Sequence, residues 1–205
     1  RLRQFGGAVD VLSCSSIGKK ATDFTPYRIS RPYIREAVTL PVGPAWGSWA
    51  PQYKFIQMAL EEIVRNEAEG TAYDFIYTRA MWVPSHYVGA LKKLQTPEIE
   101  WIAEFSDPLS LDVEGLPRAE HPPKNHEVFD ELVEAFEREY GVVDESQRGI
   151  FRMAELLSYA FADRIIFTND LQMQTMLNHV DHVALRERII RHAQVSNHPT
   201  LPREY

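Results

Sequence analysis

The sequence predicts an α/β fold, a Rossmann-like parallel sheet with helices on both faces. Three observations predict it. Short apolar runs of strand length alternate with longer stretches whose apolar residues recur every three or four positions. Several of the short runs are almost continuously apolar, the pattern of parallel strands covered on both sides. The 205 residues, with 44% hydrophobic residues, 13 Pro and 10 Gly, have the size and composition of one large folded domain. Collagen-like, disordered and coiled-coil chains are excluded.

Six strands are predicted in order, at 8–14 (AVDVLSC), 37–42 (AVTLPV), 74–78 (DFIYT), 101–105 (WIAEF), 164–168 (RIIFT) and 193–196. Between them, Ile56, Ala59, Leu60 and Ile63 follow a helical stripe, with Pro51 suited to the first turn and Gly70 to a left-handed stop. Ser85 is the expected cap of a helix carrying Tyr87, Val88, Leu91 and Leu94, with Lys92 and Lys93 at the end where the dipole favours cations. Asn125 opens the next, with Phe129, Leu132, Val133 and Phe136 on one face and Gly141 after it. Ser146 starts another, which buries Ile150, Met153, Leu157, Ala160 and Phe161. Asn169 or Asp170 caps the one bearing Met173, Met176, Leu177 and Val180. Repeated in one direction, strand and helix give right-handed crossovers and a single six-stranded sheet. The stretch 107–125 carries Pro108, Pro117, Pro122 and Pro123 and fits neither period, so it reads as a long loop, functional or mobile.

The formal net charge is −7, which repels phosphate backbones and anionic lipid in bulk and argues against general nucleic-acid binding. The single cysteine, Cys14, cannot close an internal disulfide, so a reducing cytoplasm is expected. No run approaches the roughly 20 apolar residues of a membrane span. The opening residues lack the apolar core of a signal peptide, and the chain starts on Arg1 instead of Met, as an excised piece would.

Ligands of open parallel sheets collect beyond the carboxyl ends of the strands. The residues there are Ser13, Ser15 and Ser16; Gly43, Trp46 and Trp49; Thr78 and Arg79; Ser106 and Asp107; Thr168 and Asn169; and Asn197 and His198. Asp107 is the sharpest, because Phe105-Ser106-Asp107-Pro108 sets a carboxylate at a strand exit where proline turns the chain away. There it orients or deprotonates a hydroxyl, or else caps a turn. Arg79 grips phosphate or pairs with Asp107. Ser85 and His86 open a helix at its positive end, with His86 expected in solvent.

The loop carrying Trp46 and Trp49 is a stacking platform for a sugar ring or a lipid-facing lip, unless an indole packs inside. Lys19, Lys20, Arg28, Arg31 and Arg35 form a basic stretch that meets phosphates or an anionic surface, or else is a solvated charged loop. His179 and His182 are the one close histidine pair and lack further ligands, so no metal is expected. No G-x-G-x-x-G, G-x-x-x-x-G-K-[ST] or G-x-S-x-G occurs, which removes the main support for dinucleotide oxidoreductases, P-loop NTPases and serine hydrolases.

Tyr73-Asp74-Phe75-Ile76-Tyr77-Thr78-Arg79, Trp101 through Pro108, Ala162-Asp163-Arg164-Ile165-Ile166-Phe167-Thr168-Asn169 and a closing His198-Pro199, in that order, cover nearly the whole chain. Together they resemble the N-terminal domain of retaining GT-B glycosyltransferases of the group 1, or family 4, class. Only Gly6 and Gly7 stand where the family has a first strand and glycine-rich loop, and many members place a histidine where Ser106-Asp107 lie.

The resemblance implies an acceptor-binding domain over 1–197, the start of an interdomain linker over 198–205, and a second, donor-binding domain outside this chain, without which the chain does not turn over. It implies Asp107 as the residue that orients the acceptor, acceptor contacts from Arg79, Ser85, His86, Ser106, Trp46 and Trp49, and a cleft lined by Thr168, Asn169 and His198. The implied partners are a sugar or lipid-linked acceptor and a nucleotide sugar, with no cofactor, no nucleic acid and a peripheral contact with the inner face of a membrane. The rival reading is a non-catalytic Rossmann-like binding module.

Overall fold

The computed structural model describes residues 8–15, 25–43, 47–79, 83–112, 114–118, 120, 123–124 and 126–197. All six predicted strands form, and every pairing between them is parallel. The protein is an α/β chain of Rossmann-like character. The strands do not join in one sheet, however: among the described residues they pair as a set of two and a set of four. Two compact units correspond to them, divided between Arg65 and Asn66.

In the first unit β1 (Val9–Cys14) pairs with β2 (Ile34–Leu40), Leu12 opposite Val38. Parallel neighbours need a crossover, and here it includes the short helix α1 (Thr25–Ser30) and a 3-10 turn at Arg31–Tyr33, neither of which the apolar period foretold. The Arg35 guanidinium holds the Asp10 carboxylate across the two strands, its Nε donating over 2.8 Å. Helix α2 (Trp49–Ala68) follows and crosses the boundary between the units. It begins two residues before Pro51 and stops ahead of Gly70, whose φ of +96° is the left-handed conformation that glycine adopts at no steric cost.

In the second unit four strands lie side by side in chain order: β3 (Phe75–Arg79), β4 (Glu100–Phe105), β5 (Arg164–Phe167) and β6 (Ala193–Val195). Order never reverses within this sheet, so the crevice that such a reversal opens in parallel sheets is not found among β3 to β6. Helix α3 (Pro84–Gln95) links β3 to β4, while α4 (Glu127–Tyr140) and α5 (Ile150–Phe161) lie between β4 and β5. Helices α6 (Asp170–Leu177) and α7 (Val183–His192) return the chain to β6.

Helices α3 and α5 cover the sheet face bearing Trp101 and Phe105. Gly89 of α3 lies directly against the Trp101 indole, and Phe105 packs at a tilt between His86 of α3 and Tyr159 of α5, with ring centroids 4.9 and 5.5 Å from theirs. Residues Ile150 through Ala160 of α5 are buried without a break. Burial on all sides puts this helix in the core, with its two charged side chains, Arg152 and Glu155, paired to each other.

The helix starts need correction. Val83 stands at the cap position of α3, and Ser85 is inside the first turn, where its hydroxyl donates to the Arg79 carbonyl over 2.8 Å. Ser146 lies in a separate 3-10 turn, Glu145–Gln147, and α5 begins only after Gly149. Asn125 lies outside the described residues, and His126 precedes α4. Asn169 does cap α6, its Oδ1 accepting the Gln172 N–H over 2.8 Å. The lysines ending α3 form ion pairs beyond any interaction with the dipole. Lys92 is buried and reaches Glu67 at 2.7 Å, and Lys93 reaches Asp163 at 2.8 Å. Among the described residues no helix is long and apolar enough to cross a membrane.

Candidate functional site

The carboxyl end of β4 is the focus. Phe105 ends the strand, fully buried, with its carbonyl accepting the Gln172 amide over 3.0 Å. Ser106 turns its hydroxyl inward, and Asp107 then emerges exposed. No described residue donates a hydrogen bond to the Asp107 carboxylate or pairs with it, so the turn-capping role allowed from the sequence is not the one it plays. A solvated carboxylate at a strand exit is free to accept a ligand hydroxyl.

Arg79 ends β3 one strand away. It does not pair with Asp107. Register places it opposite Glu104, and the Nε to Oε1 distance is 3.7 Å, with the guanidinium half exposed and the carboxylate buried. At that length the pair is loose, and the exposed face of the guanidinium keeps donors for an anion.

His86 departs most from expectation. It is fully buried. Its Nδ1 meets the Thr78 hydroxyl at 2.8 Å, while the same oxygen accepts the Trp101 indole N–H at 2.9 Å. Either tautomer leaves Nε2 without a hydrogen-bond partner. Burial disfavours the imidazolium and lowers the pKa of His86 to about 3, so the ring is neutral at physiological pH. Two more buried oxygens lack a partner, the Ser106 hydroxyl beside Phe105 and the Tyr159 phenol packed on it. A buried polar atom left without a partner costs about 1–3 kcal/mol in a dry interior.

The loop after Asp107 is built and packed. Leu109, Ser110 and Leu111 are buried, and Leu111 bridges Pro117 around a turn at Gly115, whose φ is +81°. Glu155 of α5 fastens it. One carboxylate oxygen accepts the N–H groups of Leu109 and Ser110 over 2.8 and 2.9 Å, and the other accepts the Ser110 hydroxyl over 2.6 Å. Arg152 balances that charge at 3.2 Å. Further along, Glu120 lays its carboxyl over the start of α5, accepting from the main chain of Phe151 and Arg152 against Gly149. Burial raises the pKa of Glu120 to about 7, against the opposing pull of those two N–H groups. Neither carboxylate was singled out from the sequence. The available signal was that Arg152 and Glu155 are the two charged residues of 150–162, otherwise an apolar stretch.

The remaining predicted residues divide. The Thr168 amide and hydroxyl both donate to Gln172 Oε1, at 2.8 and 2.7 Å, and Asn169 caps α6, so both side chains are engaged inside the fold. Ser85 is likewise engaged. Trp49 is the first residue of α2, buried and stacked on Tyr53 with centroids 6.2 Å apart, and does not stand in an open loop. Arg28 and Arg31 are exposed. Trp46, His198, Lys19, Lys20 and Ser16 lie outside the described residues. Among the described residues no group of three His, Cys, Asp or Glu side chains is placed to hold a metal ion.

The chain matches no protein-family model, no curated protein and no solved structure.

Proposed function

We propose that this chain is the acceptor-binding half of a glycosyltransferase, in which Asp107 orients the hydroxyl that receives the sugar. The observation that carries this reading is the Asp107 carboxylate itself, exposed at the carboxyl end of a parallel strand and free of internal bonds. Arg79, at the end of the adjacent strand, supports it as a partly exposed cation for an anionic group of the ligand. Transfer from a nucleotide sugar is served by positioning the acceptor and stabilising the departing diphosphate, and a carboxylate and a guanidinium at the ends of adjacent strands fit those two tasks. In this reading the nucleotide sugar is held by a separate domain.

A second reading, a non-catalytic binding module, is favoured by one observation. Ser85, Thr168 and Asn169, all expected at the ligand, make internal hydrogen bonds.

One assay separates the two readings. The whole protein that carries this chain is incubated with UDP-, GDP- and ADP-sugars, with and without soluble and lipid-linked hydroxyl acceptors. Nucleoside diphosphate release that depends on an acceptor supports the transferase. Its absence across the panel overturns it.

A further inference from the structure

We infer that Glu155 is the positioning residue for the Asp107 carboxylate, an inference that rests on the acceptor reading above. Asp107 is bracketed on both sides. Before it, the Phe105 carbonyl is held by Gln172 Nε2 at 3.0 Å. After it, the first two main-chain N–H groups beyond Pro108 both donate to Glu155 Oε1. Between those anchors few torsions are soft. Proline fixes its own φ, and a residue that precedes proline is confined to extended backbone. A hold on the Leu109 amide therefore restrains Asp107 through one nearly rigid dipeptide.

Glu155 is suited to that hold. It is 2% exposed. Its two oxygens accept three hydrogen bonds from the loop and face Arg152 at 3.2 Å, so its charge is satisfied where it sits. It stands on α5, a helix buried along its length and so a rigid support.

The test uses the full chain and two variants, Glu155→Gln and Ser110→Ala. The glutamine keeps the volume, removes the charge and turns an N–H₂ toward donors, while the alanine removes the hydroxyl bond and leaves the main-chain pair. Two signals are followed by NMR: hydrogen exchange of the Leu109 and Ser110 amides, and the chemical shift of the Asp107 side-chain carboxyl carbon. In Glu155→Gln the two amides are expected to lose protection by about tenfold or more, the worth of one charge-assisted bond. The Asp107 signal is expected to move or split, while the Trp101 indole signal stays in place. Ser110→Ala is expected to shift Asp107 in the same sense by a smaller amount.

A folded Glu155→Gln variant with the parent Asp107 signal overturns the inference. If that variant does not fold, an unchanged Asp107 signal in Ser110→Ala overturns it instead. These spectra do not depend on turnover. Wild-type kinetics in Asp107→Asn would overturn the acceptor reading and leave the positional result standing.

Discussion

Gly89 and Trp101 meet without a side chain between them. A β carbon on Gly89 would overlap the indole ring, which is fully buried and donates through Nε1 to Thr78 at 2.9 Å. Helix α3 therefore sits on β4 at a distance that glycine permits. Gly89→Ala must push the helix out or turn the indole off Thr78, and overpacking of this kind costs about 1–3 kcal/mol. Urea unfolding measures it, with Gly43→Ala as control, since a β carbon at Gly43 has nothing within 4 Å. Equal midpoints for both variants would mean the close approach carries no weight.

Asp107→Asn removes a charge at almost constant volume. Because the carboxylate is exposed and unpaired, the melting temperature should not change. If Asp107 orients the acceptor in the transition state, kcat of the whole enzyme should fall by about 10- to 100-fold, with a smaller change in KM. Unchanged kcat would overturn the acceptor role of Asp107.

His86 sets an acid limb on stability. Its pKa is about 3 in the folded chain against 6.5 for the free side chain, so the unfolded state binds the extra proton between those values. The stability that the neutral ring preserves is complete above pH 6.5 and is lost as pH falls toward 3. Between pH 7 and pH 5 the loss from this group is about 2 kcal/mol. His86→Leu, which does not titrate, should flatten that limb in urea midpoints taken at intervals of half a pH unit, whatever its effect at pH 7.

Glu120 works in the opposite sense. Its folded pKa of about 7 lies above its ordinary 4.5, so the folded chain binds the proton more tightly. Its contribution is therefore full below pH 4.5 and declines as pH rises through 7. The loss is on the order of 1–2 kcal/mol, less than the full shift implies because the carboxyl is only partly buried and is screened. Glu120→Gln resembles the protonated form and should gain on the parent as pH rises from 5 to 8. A constant difference between the two across that range would count against the shift.

Much of this architecture is decided locally, and that part was legible. The identity of the six strands, the stops at Gly70 and Gly141 and the Asn169 cap each depend on residues within a few positions of one another. Helix α7 escaped because its apolar stripe is thin, with two buried side chains, Leu185 and Ile189, among charged neighbours. Asp107 was legible as a carboxylate at a strand exit, but whether it would be paired was not.

What only the tertiary structure decided depends on residues far apart in the chain. Strand pairing divided six strands into two sheets because each pairing joins backbones that the sequence separates. The burial of His86 follows from α3 packing against β4, where its ring meets Phe105. The support of Asp107 comes from Glu155, whose bond to Leu109 spans 46 positions. A pattern in sequence shows which side chains avoid water, and it contains no term for the partner a buried carboxylate will find. That partner is set when helix and sheet close on each other, which is why the strand exit was visible from the sequence and the clamp that holds it was not.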